Sequence, residues 1–286
     1  MADIGLNQNF STDSRDFHIQ TATLVDEGLI RAEVFEKGRL LFVENYQYER
    51  RNFNQDVGPD SRLRKIVDQV HQSMIEEIDS LFEISEQIFG EKNATAHEKI
   101  GLVFLYMHVF DKAESHLQAS IEINKNYYGS YIHLARAYFL QKRYNKAYEL
   151  LSEITGKNFH YPDMYNLLGM INLEKKKHSQ AFQYFKQALK YNNAYIEAYF
   201  NLIEAILQRM VSLKGEKKEQ EIKKRISFLK ILLKKIDNFG NAEDRKQSSL
   251  LNRVLNKLAI KKALKLVHDY RETNYIRHMP PEIIGY

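Results

Sequence analysis

The sequence predicts a mostly α protein: an α-solenoid of helical hairpins, preceded by a small α+β module made of an antiparallel β-meander and one long helix. Three observations carry this. Segments of the chain align with one another at a period of 34 residues between positions 94 and 195. Three short β-branched and aromatic runs near the start are separated by glycine turns. Only 4 prolines and 12 glycines interrupt 286 residues, so helix can run over most of the length.

Residues 1–15 are polar and read as a loose N-terminal tail. Residues 18–25, 29–35 and 39–48 are three strand-like runs, with Asp26-Glu27-Gly28 and Glu36-Lys37-Gly38 as the turns between them. Gly58 and Pro59 punctuate the end of the meander. A long helix is predicted from Ser61 to near Gly90, because Leu63, Ile66, Val67, Val70, Met74, Ile78, Leu81 and Phe82 recur at spacings of three and four. The module over 16–90 has few ways to bury both faces of its sheet alone. It is expected to pack on the repeats, on a second copy or on a partner.

The repeat frames start at Ala94, Tyr128 and Pro162, giving units 94–127, 128–161 and 162–195. Position seven holds Ile100, Leu134 and Leu168, and position eight holds Gly101, Ala135 and Gly169. Position twenty holds Ala113, Ala147 and Ala181, and position twenty-four holds Leu117, Leu151 and Phe185. Small residues at eight and twenty suit a close crossing of the two helices of a hairpin. Large ones fill the space between hairpins, which only a neighbouring hairpin can close. Turns are placed near Phe110-Asp111, Tyr144-Asn145 and His178-Ser179, with Asp, Asn or Ser capping the second helix. A partial fourth repeat starts at 196 and ends near 213. A basic helical cap and tail follow over 214–286, with helices over 219–236 and 244–270.

This pattern resembles the tetratricopeptide repeat family. The usual large residue of position four is His97 in the first frame, and the usual proline of position thirty-two is missing from all three. The resemblance implies a protein-binding groove lined by the first helix of each hairpin. Carried over residue by residue, the partner-binding positions are Leu102, Tyr106, His133, Arg136, Asn166, Met170, Asn201 and Glu204. Members that grip a chaperone's C-terminal carboxylate use Lys, Arg and Asn at positions held here by Glu98, Leu102, His133, Asp163 and Leu167. A chaperone tail is therefore not an expected partner. The groove reads as apolar with a few polar points, suited to an amphipathic helical or extended protein segment.

Residues 214–235 hold nine Lys or Arg against three Glu, a local excess of +6 in a chain whose net charge is +5. Lys217, Lys218, Lys223, Lys224 and Arg225 form its basic patch. It reads either as a solvated face or as an attachment to membrane or nucleic acid. The modest total charge leaves neither as an expected partner.

No catalytic, metal or cofactor site is expected. There is no cysteine, so disulfides, zinc ribbons and thiol catalysis are excluded. His97-Glu98 lacks a second histidine at Gly101, and neither a phosphate-cradling glycine loop nor a Gly-x-Ser-x-Gly elbow occurs. The start of the sequence shows no secretory pattern and no apolar run approaches membrane-spanning length, so a cytoplasmic location is expected. The leading expectation is a non-catalytic scaffold or adaptor in a multiprotein assembly, with possible self-association through the N-terminal module. Two alternatives stand beside it: a regulatory module relaying a signal from the N-terminal domain, and a peripheral membrane or nucleic-acid binder acting through 214–235.

Overall fold

The computed structural model describes residues 4–48, 59–157, 160–214 and 218–276. It divides into two compact units, residues 1–124 and 125–286. The first unit runs past the expected module boundary at residue 90 and takes in the first helical hairpin.

Four strands, not three, open the first unit: β1 (Gly5–Thr12), β2 (Arg15–Leu24), β3 (Leu29–Glu36) and β4 (Arg39–Gln47), antiparallel in that order. The expected loose tail is β1. Its Asn7, Gln8, Asn9 and Ser11 are polar because it is an edge strand with most side chains exposed. Asp13 and Ser14 turn the chain into β2 with φ of 50° and 58°, the geometry of a two-residue hairpin. Alternation then sends Phe17, Ile19, Thr21 and Thr23 of β2, and Ile30, Ala32 and Val34 of β3, to one buried face.

Helix α1 (Pro59–Phe89) covers that face with its stripe of Leu63, Val67, Met74, Ile78 and Phe82. The buried His71 ring meets Thr21 Oγ1 at 2.9 Å, which satisfies both polar groups. The first hairpin, α2 (Ala94–Tyr106) and α3 (Phe110–Ile123), completes the unit. Phe82 links sheet to hairpin, its ring 5.8 Å from that of Phe17 and 5.1 Å from that of Phe104. Arg15 bonds both Glu36 and Asp111, and Lys112 reaches Asp13 at 2.9 Å and Glu86 at 3.0 Å. The sheet therefore closes one face on α1 and the first hairpin.

The second unit is helical: α4 (Tyr128–Leu140), α5 (Tyr144–Ile154), α6 (Pro162–Glu174), α7 (His178–Tyr191), α8 (Ile196–Ser212), α9 (Lys218–Phe239), α10 (Ala242–Asn256) and α11 (Ile260–Arg271). A π-helical turn, Glu272–Ile276, follows α11. The close crossings appear where the repeat register puts them. A Cβ on Gly169 would lie 2.4 Å from Phe185 Cε1, and one on Gly101, in the first unit, 2.8 Å from Leu117 Cγ.

The turns differ from expectation. Phe110, Tyr144 and His178 are already helical, and no side chain caps these helices. His108, Lys142 and Lys176 instead adopt φ of 58°, 60° and 58°, and backbone bonds close each turn. Lys142 N donates to Phe139 O at 2.8 Å, and Arg143 N to Tyr138 O at 2.8 Å. The same turn recurs where one helix was expected over 244–270. Leu258 has φ of 55°, its N donates to Leu255 O, and Ala259 N donates to Val254 O. Helices α10 and α11 are thus another hairpin, with Ala263 and Val267 where earlier hairpins carry Ala181 and Phe185. Asn241 starts it with a reciprocal capping box to Asp244.

Candidate groove of the second unit

The first helices of successive hairpins, α4, α6 and α8, present Arg136, Asn166, Asn201 and Glu204 at the positions the repeat register assigns to a concave face. These side chains do not face open water. Helix α11 lies against α8, and the 272–276 turn continues to Arg136 on α4. Arg271 donates through Nε to Asn201 Oδ1 and through Nη1 to Glu204 Oε2. Both members of this ion pair are buried, at 3% and 2% exposure. His268 Nδ1 lies 3.1 Å from Glu204 Oε1, and Gln208 Nε2 donates to the same oxygen at 3.0 Å. Arg136 Nη2 donates to the Tyr275 carbonyl at 2.8 Å.

The floor continues inward as a chain of amides and carboxylates. Asn201 Nδ2 donates to Asn166 Oδ1 at 2.7 Å, Asn166 Nδ2 donates to Tyr195 OH at 3.3 Å, and Tyr195 OH donates to Glu197 Oε2 at 3.3 Å. Glu197 Oε1 is buried with no hydrogen-bond partner among the described residues. On the other side, Phe200 holds the Tyr270 ring at 4.9 Å and the Tyr275 ring at 5.9 Å. Both tyrosine hydroxyls donate to Asp244 Oδ1, the carboxylate that also serves the capping box of α10.

Burial sets the electrostatics. It brings Arg271 down to about 10, against the upward pull of Glu197, Glu272 and Glu174. Burial, then Glu197 and Asp163, hold Tyr195 far above its usual range. Burial, then Arg136, keep His133 neutral down to about 4. Arg271 thus lies among Glu174, Glu197, Glu204 and Glu272. The floor carries Glu197, Glu204 and Arg136 among its amides, and the cation of the covering segment bonded into it is Arg271.

The expected groove residues distribute unevenly. Arg136, Asn166, Asn201 and Glu204 come together. His133 sits half-buried beside Arg136. Met170 is 3% exposed and packs inside the unit, in contact with Asn166, so it is no part of an open surface. Leu105, Phe139 and Leu173 are also buried. Those positions face neighbouring helices, and polar residues are left to form the floor. Leu102 and Tyr106 are half-buried on α2 in the first unit. Sequence reasoning missed Asp244, Tyr270, Arg271 and Tyr275. Ala263 and Val267, four apart like Ala147 and Leu151, were the available signal for a separate α11.

In the basic patch, Lys223 pairs with Glu219 at 2.8 Å and Arg225 with Glu221 at 2.6 Å, while Lys224 is exposed. Lys217 and the side chain of Lys218 lie outside the described residues. No described helix is long and apolar enough to cross a membrane.

Residues 107–171 and 162–195 each match the tetratricopeptide repeat family. No curated protein matches the chain. Among solved structures, the chain is similar to YrrB, described as a TPR protein with an unusual peptide-binding site, at 12% identity over 68% of this chain and 95% of that one, with a TM-score of 0.42. It is similar to MamA at 20% identity over 67% and 100% of the two chains, with a TM-score of 0.44. For pilF of Pseudomonas aeruginosa the identity is 18% over 64% and 91%, with a TM-score of 0.35.

Proposed function

From a chain that carries tetratricopeptide repeats over residues 107–195, we propose a non-catalytic scaffold that holds a helical segment of a partner protein in the α4–α6–α8 groove. One observation supports this reading above the others: the groove already holds a helix, the chain's own α11 with its 272–276 turn. A face that buries Arg271 and Tyr270 of its own chain suits that class of ligand. In the first unit the covered face of the sheet is filled by α1 and α2 side chains, which favours docking over ligand sensing for that module.

Affinity purification of the full chain with mass spectrometry tests the proposal, run beside Arg136→Glu in the groove and Lys186→Glu on the exposed face of α7. Partners lost with the first variant and kept with the second support it. Equal retention by both refutes it.

A second surface rests on a separate observation. Helix α9 exposes Phe228, Ile231 and Phe239 among exposed Lys224, Lys230, Lys234 and Lys235. Apolar groups between lysines on one helix face suit an anionic lipid surface, each lysine adding roughly 1 kcal/mol at low ionic strength. Flotation with vesicles rich in phosphatidylglycerol, lost on Ile231→Asp, would support attachment there. No flotation in low salt would end it.

A further inference from the structure

We infer that the chain self-associates through unlike faces, the acidic outer face of α1 in one copy meeting the basic outer face of α9 in another. The net charge of +5 hides a division between the two units. Residues 1–124 carry 22 Asp or Glu against 12 Lys or Arg, a net charge of −10. Residues 125–286 carry 15 against 30, a net charge of +15. Like units of two copies therefore repel, and unlike ones attract.

Each unit concentrates its charge on one helix. From Ile66 to Phe89, α1 holds six Asp or Glu and no Lys or Arg. Its buried stripe faces the sheet, while Glu76, Asp79, Glu83 and Ile84 stand exposed. From Ile222 to Ile236, α9 holds six Lys or Arg and no Asp or Glu. Its Ile226, Leu229, Leu233 and Ile236 are buried, while Lys224, Lys230, Ile231, Lys234 and Lys235 stand exposed. The two faces match in spacing. Asp79 and Glu83 lie one turn apart, about 6 Å along α1, as do Lys230 and Lys234 along α9. An isoleucine adjoins each pair, Ile84 at 44% exposure and Ile231 at 57%. Together they give the contact an apolar centre inside a charged rim.

A second copy suits both faces at once. A nucleic acid or an anionic bilayer matches α9 but repels the acidic unit of the same chain, and a cationic partner has the reverse difficulty. Because the contact joins unlike faces, repeating it builds a ring or an open chain of copies.

Sedimentation velocity on the full chain tests this. At about 100 μM in about 50 mM salt the wild type is expected to sediment as a dimer or larger, and to return to single chains at about 1 M salt, where the screening length falls to about 3 Å. Asp79→Lys with Glu83→Lys should leave single chains, and so should Lys230→Glu with Lys234→Glu. All four positions are exposed, so both variants should fold as the wild type does. An equimolar mixture of the two variants should associate again, because each presents the complement of the other's altered face. Should either fail to fold, Glu83→Gln and Lys234→Gln, which only neutralise, should each weaken association about threefold.

Single wild-type chains at low salt, an assembly that high salt leaves intact, a charge-reversed variant that still associates alone, or a mixture that stays single overturns the inference. An assembly that nuclease treatment dissolves would assign α9 to nucleic acid and overturn it as well. Vesicle flotation separates the lipid reading, since Asp79→Lys with Glu83→Lys leaves α9 unaltered. Flotation of that variant, together with single wild-type chains in solution, would assign α9 to lipid in place of a second copy.

Discussion

Gly169→Ala should destabilise the second unit, and by an amount the structure sets. The new Cβ would stand 2.4, 2.5 and 2.9 Å from Cε1, Cδ1 and Cζ of Phe185. Carbon atoms in contact prefer about 3.5–4.0 Å, so the ring must retreat by about 1 Å. Phe185 is fully buried and has nowhere to retreat without moving its neighbours. Overpacking of this kind costs about 1–3 kcal/mol, and the better helix propensity of alanine returns up to about 1 kcal/mol. The net loss is about 1–2 kcal/mol, a fall in Tm of about 2–8 °C for a unit of this size. The preceding hairpin indicates the remedy, since its register places Ala135 opposite Leu151. Phe185→Leu alone should cost about 1 kcal/mol, and the double variant should recover at least that much as coupling. Thermal and urea unfolding of the four chains measure the cycle. If Gly169→Ala melts at or above wild type, or coupling stays below about 0.3 kcal/mol, close approach is not what keeps position eight small.

Three further outcomes are expected. His116 is buried between Ser85 Oγ at 2.8 Å and His97 Nδ1 at 3.0 Å, and burial, then His97 and Lys112, lower it to about 4. Unfolded, it takes up a proton near pH 6.5, so its contribution is complete above that pH and is lost as pH falls toward 4, at up to about 1.4 kcal/mol per unit. Urea midpoints at about pH 7 and about pH 5 should fall further apart for wild type than for His116→Gln; equal differences would remove His116 from the account. Asp244→Ala removes a capping box and the acceptor of two tyrosine hydroxyls, and should cost about 2–4 kcal/mol by thermal unfolding, against about 1 for Asn241→Ala, which loses only the cap. Leu258→Gly relieves the left-handed backbone at a half-exposed side chain and should leave stability unchanged or raise it by about 0.5 kcal/mol; a loss above about 1 would mean that the side chain packs more than its exposure indicates.

What was legible in the sequence follows what repeats. Gly101, Ala135 and Gly169, with their partners four turns on, give the register because one steric problem is solved three times. Strand β1 was not legible. An edge strand with an exposed face shows little apolar alternation beyond Leu6 and Phe10. The break at Leu258 was hidden because nothing in Lys257-Leu258-Ala259 signals a left-handed residue. In the groove, Arg136, Asn201 and Glu204 could be placed from their positions in the repeat. Arg271 could not, since it meets Glu204 across 67 residues of chain, a separation with no local pattern. Met170 and Leu173 stand four and seven residues on from Asn166, on the same stripe of α6, and all three are buried.

The amide-and-carboxylate floor under α11 has a consequence for how the protein behaves in a crowded solution. Most helices that peel from a domain leave a greasy scar that recruits other unfolded chains. Helix α11 is one of these: lifting it would bare Phe200, Val267 and Tyr270 beside Asn201 and Glu204. The buried Arg271–Glu204 pair, by keeping α11 seated, therefore also keeps that surface from drawing molecules together.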